Sequence, residues 1–423
     1  MTETTVELAE GRITDEMLEE MRGYTGVKLR IAHAINNEEA TKVAITKFAN
    51  GIGDGNPLWT DEEYAAGTRY ETIIAPPSWI FSVFAGVQYG WRGLSGFHNA
   101  STIDLYLPIV RNDKITPEMI CTGFDGPKAS NFAQKMVVEL NETYYRNQRN
   151  ELVAKNSWEV VHTERLEARK TGKYHGIKLP HPWTEEDLKK VEEEVLAEER
   201  NGATTPSWDD VEVGQDLKPV VKGPLTLTDE IAFLIGGGAP IPRIMAHGLA
   251  LKFYRRHPKW AFRDPNSCGL EPNYAVHYNK EAARAQGLPY QYDVGYQRHS
   301  WQIHLLTNYA GDDGWVKKSS CQYRRFVYFS DVIWVTGKVV EKFLDEEGEC
   351  CVKIETHALN ERGEEVMPGY GIVTLPSQKL GFSPLDRRLK RQYDCQEGLN
   401  HAGARRGYRK KTSKDQCEKD RRG

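Results

Sequence analysis

His277 is the residue from which chemistry can first be read in this chain. It stands in the stretch from Gly269 to Tyr309, which begins as a turn-rich segment. That stretch continues through Gly287-Leu288-Pro289 into a run where Trp301, Leu305 and Tyr309 recur at helical spacing. The pattern predicts a loop feeding a buried helix. The first amides of a helix have no intrahelical partner and carry the positive end of its dipole, so Gly295, just inside this one, would let an acyl carbonyl approach closely. A histidine held beside such donors could do acid/base work on a thioester. Glu271 and Asp293 are the nearby carboxylates that could partner it, and Arg298 could meet a carboxylate on a substrate or form a surface ion pair. Most lone histidines in a chain are structural or solvated, and that is the alternative for His277.

An earlier stretch has the same plan. From Phe48 to Val87 a polar turn is followed by a short helical piece and an apolar run, Ile80, Val83, Phe84 and Val87, spaced i, i+3, i+4, i+7. Pro76 and Pro77 sit where a first helical turn tolerates proline. A more literal match is Asn147-Gln-Arg-Asn-Glu-Leu-Val, which recurs as Asn360-Glu-Arg-Gly-Glu-Glu-Val. The chain therefore reads as a tandem duplication of one module.

At 423 residues, 39% hydrophobic and 10% aromatic, the sequence has room for two packed domains and is not of the disordered class. It holds no long apolar run and no signal-like N-terminus, which gives a cytoplasmic expectation with no membrane partner. Seven cysteines, without a Cys-x-x-Cys pair, fit reduced thiols better than a disulfide frame or a zinc site. The net charge of −4 conceals a basic tail: residues 387–423 carry 13 Lys/Arg against 5 Asp/Glu. Disorder is the favoured reading of that tail, and nucleic-acid binding the poorer one.

The elements that must position these residues can be laid out in order. A short amphipathic helix from Ile13 precedes a strand near residues 27–32 and a helix capped by Asn37 that runs through Phe48. Strands are expected at 101–109, 136–145 and 152–162. A connector at 170–182 leads to an acidic linker helix that Thr184 and Asp187 start as a capping box. In the second module Lys218 to Gly223 reads as a strand and Thr228 as the cap of a helix ending at Gly236. Residues 240–268 read as an insertion with a helix from Ala246 to His257. The basic end of that helix, Lys252, Arg255, Arg256 and His257, either complements the helix dipole or meets a phosphate-bearing ligand such as coenzyme A. Strands follow at 316–328, 332–340 and 352–357. Helices beside antiparallel strands make an α+β fold, divided as 12–169, a linker 170–207, 208–378 and a tail 379–423. His299 and His304 are five apart and face different sides, so no metal is expected between them. Ser78, Ser300 and Cys321 lack a nucleophile elbow.

The turn Gly53-Asp54-Gly55-Asn56-Pro57-Leu58-Trp59 resembles the hydratase signature of the MaoC-like, R-specific enoyl-CoA hydratase family, Gly-Asp-x-Asn-Pro-x-His. Ile74-Ala-Pro-Pro with the following helix, and the run from His277 through Gly287-Leu-Pro, resemble the same elements in two successive units. The resemblance covers most of residues 12–378 and implies a tandem (double) hotdog, each unit an antiparallel sheet wrapped around a central helix. It also implies a dehydratase-like N-terminal half. In that family an aspartate and a histidine on one loop hold the water, while helix amides hold the thioester carbonyl. Trp59 stands at the histidine position of the first unit, and Pro272 at the aspartate position of the second.

The resemblance thus implies Asp54, His277 and the neighbouring Glu271 as catalytic candidates, with Asn56, Pro57, Gly295 and Arg298 as substrate-binding ones. Three arrangements follow from it. Either His277 works with Glu271 or Asp293, or Asp54 and His277 meet across the two units, or both sites are degenerate. The implied activity is hydration or dehydration of an acyl-CoA, bulky if the tryptophans line the pocket. The implied cofactor set is none beyond coenzyme A as part of the substrate. The implied assembly is a homodimer or a hetero-oligomer with another hotdog subunit. The alternatives are a hotdog thioesterase and a non-catalytic acyl-thioester-binding subunit.

Overall fold

A computed structural model of the chain describes residues 7–238 and 244–389. Strands β1 (Leu94–Leu105), β2 (Thr116–Ser130), β3 (Gln134–Arg146) and β4 (Leu152–Glu164) come from the first half. The second half contributes β5 (Val220–Lys222), a separate ribbon of β6 (Ala261–Arg263) and β7 (Leu270–Pro272), then β8 (Trp315–Gln322), β9 (Ile333–Leu344), β10 (Cys350–Asn360) and β11 (Gly369–Thr374). Nine of them form one antiparallel sheet in the order β2-β3-β4-β1-β8-β11-β10-β9-β5. The order is a near mirror about its centre, where Ala100–Asp104 of β1 pair with Lys318–Gln322 of β8. Each half therefore repeats one connectivity, and one hydrophobic core continues through both.

The duplication is also visible at atomic detail. Between β3 and β4 the Asn147 Oδ1 accepts from the amides of Arg149 and Glu151, and its Nδ2 donates to the Glu151 carboxylate. Between β10 and β11 the Asn360 Oδ1 accepts from the amides of Arg362 and Glu364, and its Nδ2 donates to the Glu364 carboxylate. Asparagine suits both turns because its short amide can bond the backbone two and four residues on. The left-handed position falls on Asn150 (φ 63°) in one turn and Gly363 (φ 70°) in the other.

The second half is filled by the helix Gly295–Ala310, every residue of which except Gly295 is buried. A helix covered all round belongs inside a wrapped sheet. Its counterpart in the first half is far shorter than its periodicity predicts. The helix Ile80–Val83 stops at Phe84, which turns extended, and a loop with left-handed Gly86, Gly90 and Gly93 replaces the expected continuation to Val87. At Gly86 a side chain would fall 2.6 Å from the Trp158 ring, so the loop can pass there only as glycine.

Other expectations shift by smaller amounts. Thr41, not Asn37, caps the helix Lys42–Ile52, and Asn37 donates across the halves to the Gly236 carbonyl. Thr226, not Thr228, caps Leu227–Phe233 in a capping box with Asp229. The strand expected near residues 27–32 is reduced to bridges of Thr25 and Lys28 with β2. Strand β2 escaped prediction because Pro117, Gly123, Gly126 and Pro127 break its pattern, and its ladder with β3 is bulged at two places. The linker helix, Glu185–Leu196, starts at Thr184 as the capping pattern requires. Residues 379–389 were grouped with the tail by composition, yet they pack on the second half. Leu385 is fully buried there, and Arg388 donates to Glu349 at 3.0 Å. The basic residues from 390 onward, and residues 240–243 of the insertion, lie outside the described residues. Among the described residues no helix is long and apolar enough to cross a membrane.

Candidate active site

The loop that carries His277 is a 3-10 turn, Asn273–His277, leaving β7. Its ring packs on Tyr274 and Tyr292 at centroid distances of 4.6 and 4.9 Å. His277 Nδ1 lies 3.0 Å from the Tyr292 carbonyl oxygen. A carbonyl only accepts, so Nδ1 carries the proton and Nε2 is the basic nitrogen of the neutral ring. Tyr292 leads directly into the long helix, whose N-cap Val294 supplies no side-chain acceptor. The amides at Gly295 and Tyr296 therefore have no i−4 carbonyl within the helix and present the positive end of its dipole. His277 and Gly295 line one cleft of about 1090 Å³.

That cleft is built by both halves. Gly86 to Asn99 of the first half form one wall, which the early end of the Ile80–Val83 helix opens. Arg256, His257 and Lys259 from the insertion line it together with Lys173. His98, in β1, lies against the start of the long helix: a Cβ on Gly295 would sit 3.0 Å from His98 Cγ. Its ring meets the Tyr296 ring edge-on at 4.3 Å and the Tyr323 ring at 5.6 Å. Burial, helped by the neighbouring His277 and Arg298 charges, lowers the His98 imidazole to about 4.

Two residues near this helix start are placed differently from expectation. Arg298 does not wait for a substrate carboxylate. Its Nε and Nη2 bond both oxygens of Asp293 at 2.9 and 2.6 Å, and its Nη1 donates to the carbonyls of Arg325 and Val366. Such a fork-to-carboxylate pair fixes the two side chains against each other. Glu271 pairs with Phe262 in the β6–β7 ribbon and lines a different depression with Tyr254 and Tyr278. Burial raises its carboxyl, and Asp264 adds to the effect.

The first-half turn is organised otherwise. Asp54, 4% exposed, accepts the Asn56 amide at 3.0 Å, and Asn56 caps Pro57–Thr60 by accepting from Leu58. The other neighbours of Asp54 come from far along the chain. His304, on the long helix, places Nε2 at 3.4 Å from Asp54 Oδ1 and 2.9 Å from Glu198 Oε1. Asn308 also donates to Glu198, and Lys222 donates to the Gly53 carbonyl at 2.7 Å. Burial alone would raise the Glu198 carboxyl, but the His304 hydrogen bond and charge, Lys222 and Asn308 hold it at about 2. Asp54 thus meets His304 rather than His277. The apolar pocket beside this turn holds about 30 Å³, and Trp59, 3% exposed, forms part of its wall with Asn56.

Among the described residues no group of three or more His, Cys, Asp or Glu side chains is arranged to hold a metal ion. Two groups were missed by sequence reasoning. His98 sits in a stretch without any motif, and Glu198 in a linker that reads as solvated.

Residues 30–156 match the FAS1-like dehydratase domain region. A solved MaoC-like dehydratase superposes with a TM-score of 0.57, at 16% identity, over 85% of this chain and all of that one. The chain has the double hotdog fold of MaoC-like dehydratases. A MaoC domain protein dehydratase from Chloroflexus aurantiacus J-10-fl is similar at a TM-score of 0.50 and 12% identity, covering 80% and 92% of the two chains. In sequence, a UPF0336 protein of Streptomyces avermitilis is 40% identical over 45 residues, which is 11% of this chain and 30% of that relative. The MaoC-like resemblance of the two loops thus has the architecture that it implied, with the second loop opening on a cleft and the first on packed side chains.

Proposed function

We propose that the chain is a hydratase–dehydratase acting on a bulky 2-enoyl or 3-hydroxyacyl thioester, with its working site in the second half. The observation that carries this reading is His277 beside the uncapped helix start at Gly295, both on one large cleft. In hydration, His277 Nε2 takes a proton from water as the oxygen adds to Cβ. The π electrons move to the thioester oxygen, which the Gly295 and Tyr296 amides hold, and the histidine then returns the proton to Cα. Dehydration is the reverse. No metal or redox change is needed for atoms and charges to balance.

The cleft volume of about 1090 Å³ is at the top of the usual range for small-molecule sites, which supports a bulky acyl group. Arg256, His257, Lys259 and Lys173 on the cleft support a phosphate-bearing carrier such as coenzyme A. The experiment follows the ultraviolet absorbance of the conjugated enoyl thioester, using crotonyl-CoA and then bulkier enoyl-CoAs. Wild type is expected to bleach it, faster with the bulkier substrates, and His277→Ala to abolish the signal. Pro272, where the family has its aspartate, favours a second reading, a non-catalytic acyl-thioester-binding subunit. Binding with no turnover of any of these substrates, including release of free thiol, would favour that reading over both the hydratase and a thioesterase.

A further inference from the structure

His98 belongs to the first half but stands at the helix start of the second, and the reading above leaves it without a task. Three features of its placement are independent of its titration. The β1–β4 ladder is bulged here, with His98 opposite Val160 and Ala100 opposite Glu159, so that Asn99 is the extra residue. Bulges of this kind re-aim side chains, and they concentrate beside active sites. Gly295 has no side chain, and any Cβ there would crowd the His98 ring at 3.0 Å, so the first residue of the helix makes room for this imidazole. The ring is held by edge contacts with Tyr296 and Tyr323 and by a looser stack on Trp158 at 6.3 Å.

The two ring nitrogens are in different surroundings. Nδ1 is buried and has no hydrogen-bond partner among the described residues. Nε2 has no protein partner there either, but it is not among the enclosed atoms, and the residue lines the cleft. An enclosed N–H without an acceptor is rarer and costlier than an enclosed lone pair. The proton therefore belongs on Nε2, toward the cleft that Gly295 and Tyr296 also line. A depressed imidazole, at about 4, keeps the ring neutral and the Nε2 proton in place at neutral pH. A neutral imidazole beside a helix N-terminus is an effective electrophile toward a carbonyl.

We propose that His98 Nε2–H is a third donor to the thioester carbonyl oxygen, acting with the two helix amides as negative charge gathers on that oxygen. This rests on the hydratase–dehydratase reading of the His277 site. The proton stays on His98 throughout, because the group donates a hydrogen bond and transfers nothing. The first half would then contribute an atom to the reacting centre in addition to a wall of the cleft.

The test uses the full chain with His98→Phe, His98→Gln and His98→Asn. Phenylalanine keeps the ring contacts and loses the donor. A glutamine amide nitrogen reaches the position of Nε2, and an asparagine amide nitrogen only that of Nδ1. Loss of one such donor costs about 10²–10³ in kcat, so His98→Phe and His98→Asn are expected to fall by that factor with little change in KM, while His98→Gln recovers most of it. A second readout is the red shift of a chromophoric enoyl thioester, p-dimethylaminocinnamoyl-CoA, on binding, since it reports polarisation of the carbonyl without turnover. The shift is expected to shrink in the Phe and Asn variants and persist in the Gln variant. Should the Phe variant fail to fold, the Gln and Asn pair decides the matter. Turnover and shift preserved in the Asn or Phe variant would overturn the proposal while leaving the hydratase reading intact. Wild type that neither shifts the chromophore nor turns over any substrate would remove both.

Discussion

Removing the Asp54 side chain separates an acid that does chemistry from one that holds the two halves together. The structure makes it a strut: Oδ1 receives the Asn56 amide at 3.0 Å and lies 3.4 Å from His304 Nε2, and the side chain is 2% exposed. In Asp54→Ala the turn loses the hydrogen bond from the Asn56 amide, worth about 1 kcal/mol. The buried histidine also loses one of its two carboxylate neighbours. Breaking a buried ion pair outright costs about 3–5 kcal/mol, and Glu198, still at 2.9 Å, keeps the loss below that. Together these give about 2–4 kcal/mol, which for a cooperative unit of this size is roughly 2–5 °C in Tm. At a temperature well below melting, kcat/KM with the best enoyl thioester is expected to change little. His277→Ala is expected to do the opposite, losing about 10²–10⁴ in kcat with a nearly unchanged melting curve. The decisive variant is Asp54→Asn, which keeps the acceptor and the volume. If it melts like wild type and yet has lost most of its turnover, Asp54 is catalytic and the argument from packing is wrong.

Further outcomes can be stated from other buried groups. Glu230 is fully buried, neither carboxyl oxygen has a hydrogen-bond partner among the described residues, and burial raises its pKa well above 4.5, with Asp293 and Asp229 adding to the rise. A raised carboxyl contributes stability that is present below its unfolded value and lost as pH rises through the folded one. Glu230→Gln should therefore flatten the fall in stability on the alkaline side, gaining about 1–3 kcal/mol at pH 8 in urea melts. Glu198 is the opposite case, because its folded carboxyl sits at about 2. Its contribution is present above pH 4.5 and is lost as pH falls toward 2, so Glu198→Gln should lower Tm at pH 7 and bring it close to wild type near pH 2 in calorimetry. Trp59→His rebuilds the family's residue in the first loop, yet the pocket there holds only about 30 Å³. In a His277→Ala background it should restore no turnover, and any recovered activity would mean that the first loop still reaches substrate.

The double hotdog could be read from the chain because its signals are local and repeated. The Asn147 and Asn360 turns rebuild one hydrogen-bond pattern from matching residues, and strands β3 and β4 alternate cleanly enough to be placed nearly to their ends. His277 and Gly295 could be paired from sequence for the same reason, since a single loop and the helix that follows it carry both. What could not be read depends on register and on long-range approach. His98 reaches the helix start only because β1 is bulged and because β1 and β8 meet at the centre of the sheet. Asp54 finds His304 and Glu198 through the packing of three distant segments, and no spacing records that. Arg298 looked available beside a helix start because two of its partners, the Arg325 and Val366 carbonyls, lie far along the chain, although its carboxylate partner Asp293 is only five residues before it.

The two halves have departed from each other in complementary ways, and packing explains why the departures belong together. A hotdog unit keeps its long helix dry by wrapping a sheet around it, and a tandem of two full units would hold two such helices. Ending the first helix at Val83 removes one of them, and the glycine loop from Gly86 to Gly93 becomes a wall of the cleft instead of a filled core. The first loop then faces a pocket of only about 30 Å³, with Trp59 in its wall and the Asp54–His304 contact as a strut. The second half keeps its helix, and with it the donors at Gly295. In its loop Pro272 stands at the position where the MaoC-like signature has an aspartate. From the first half, His98 reaches the start of that helix across the sheet junction.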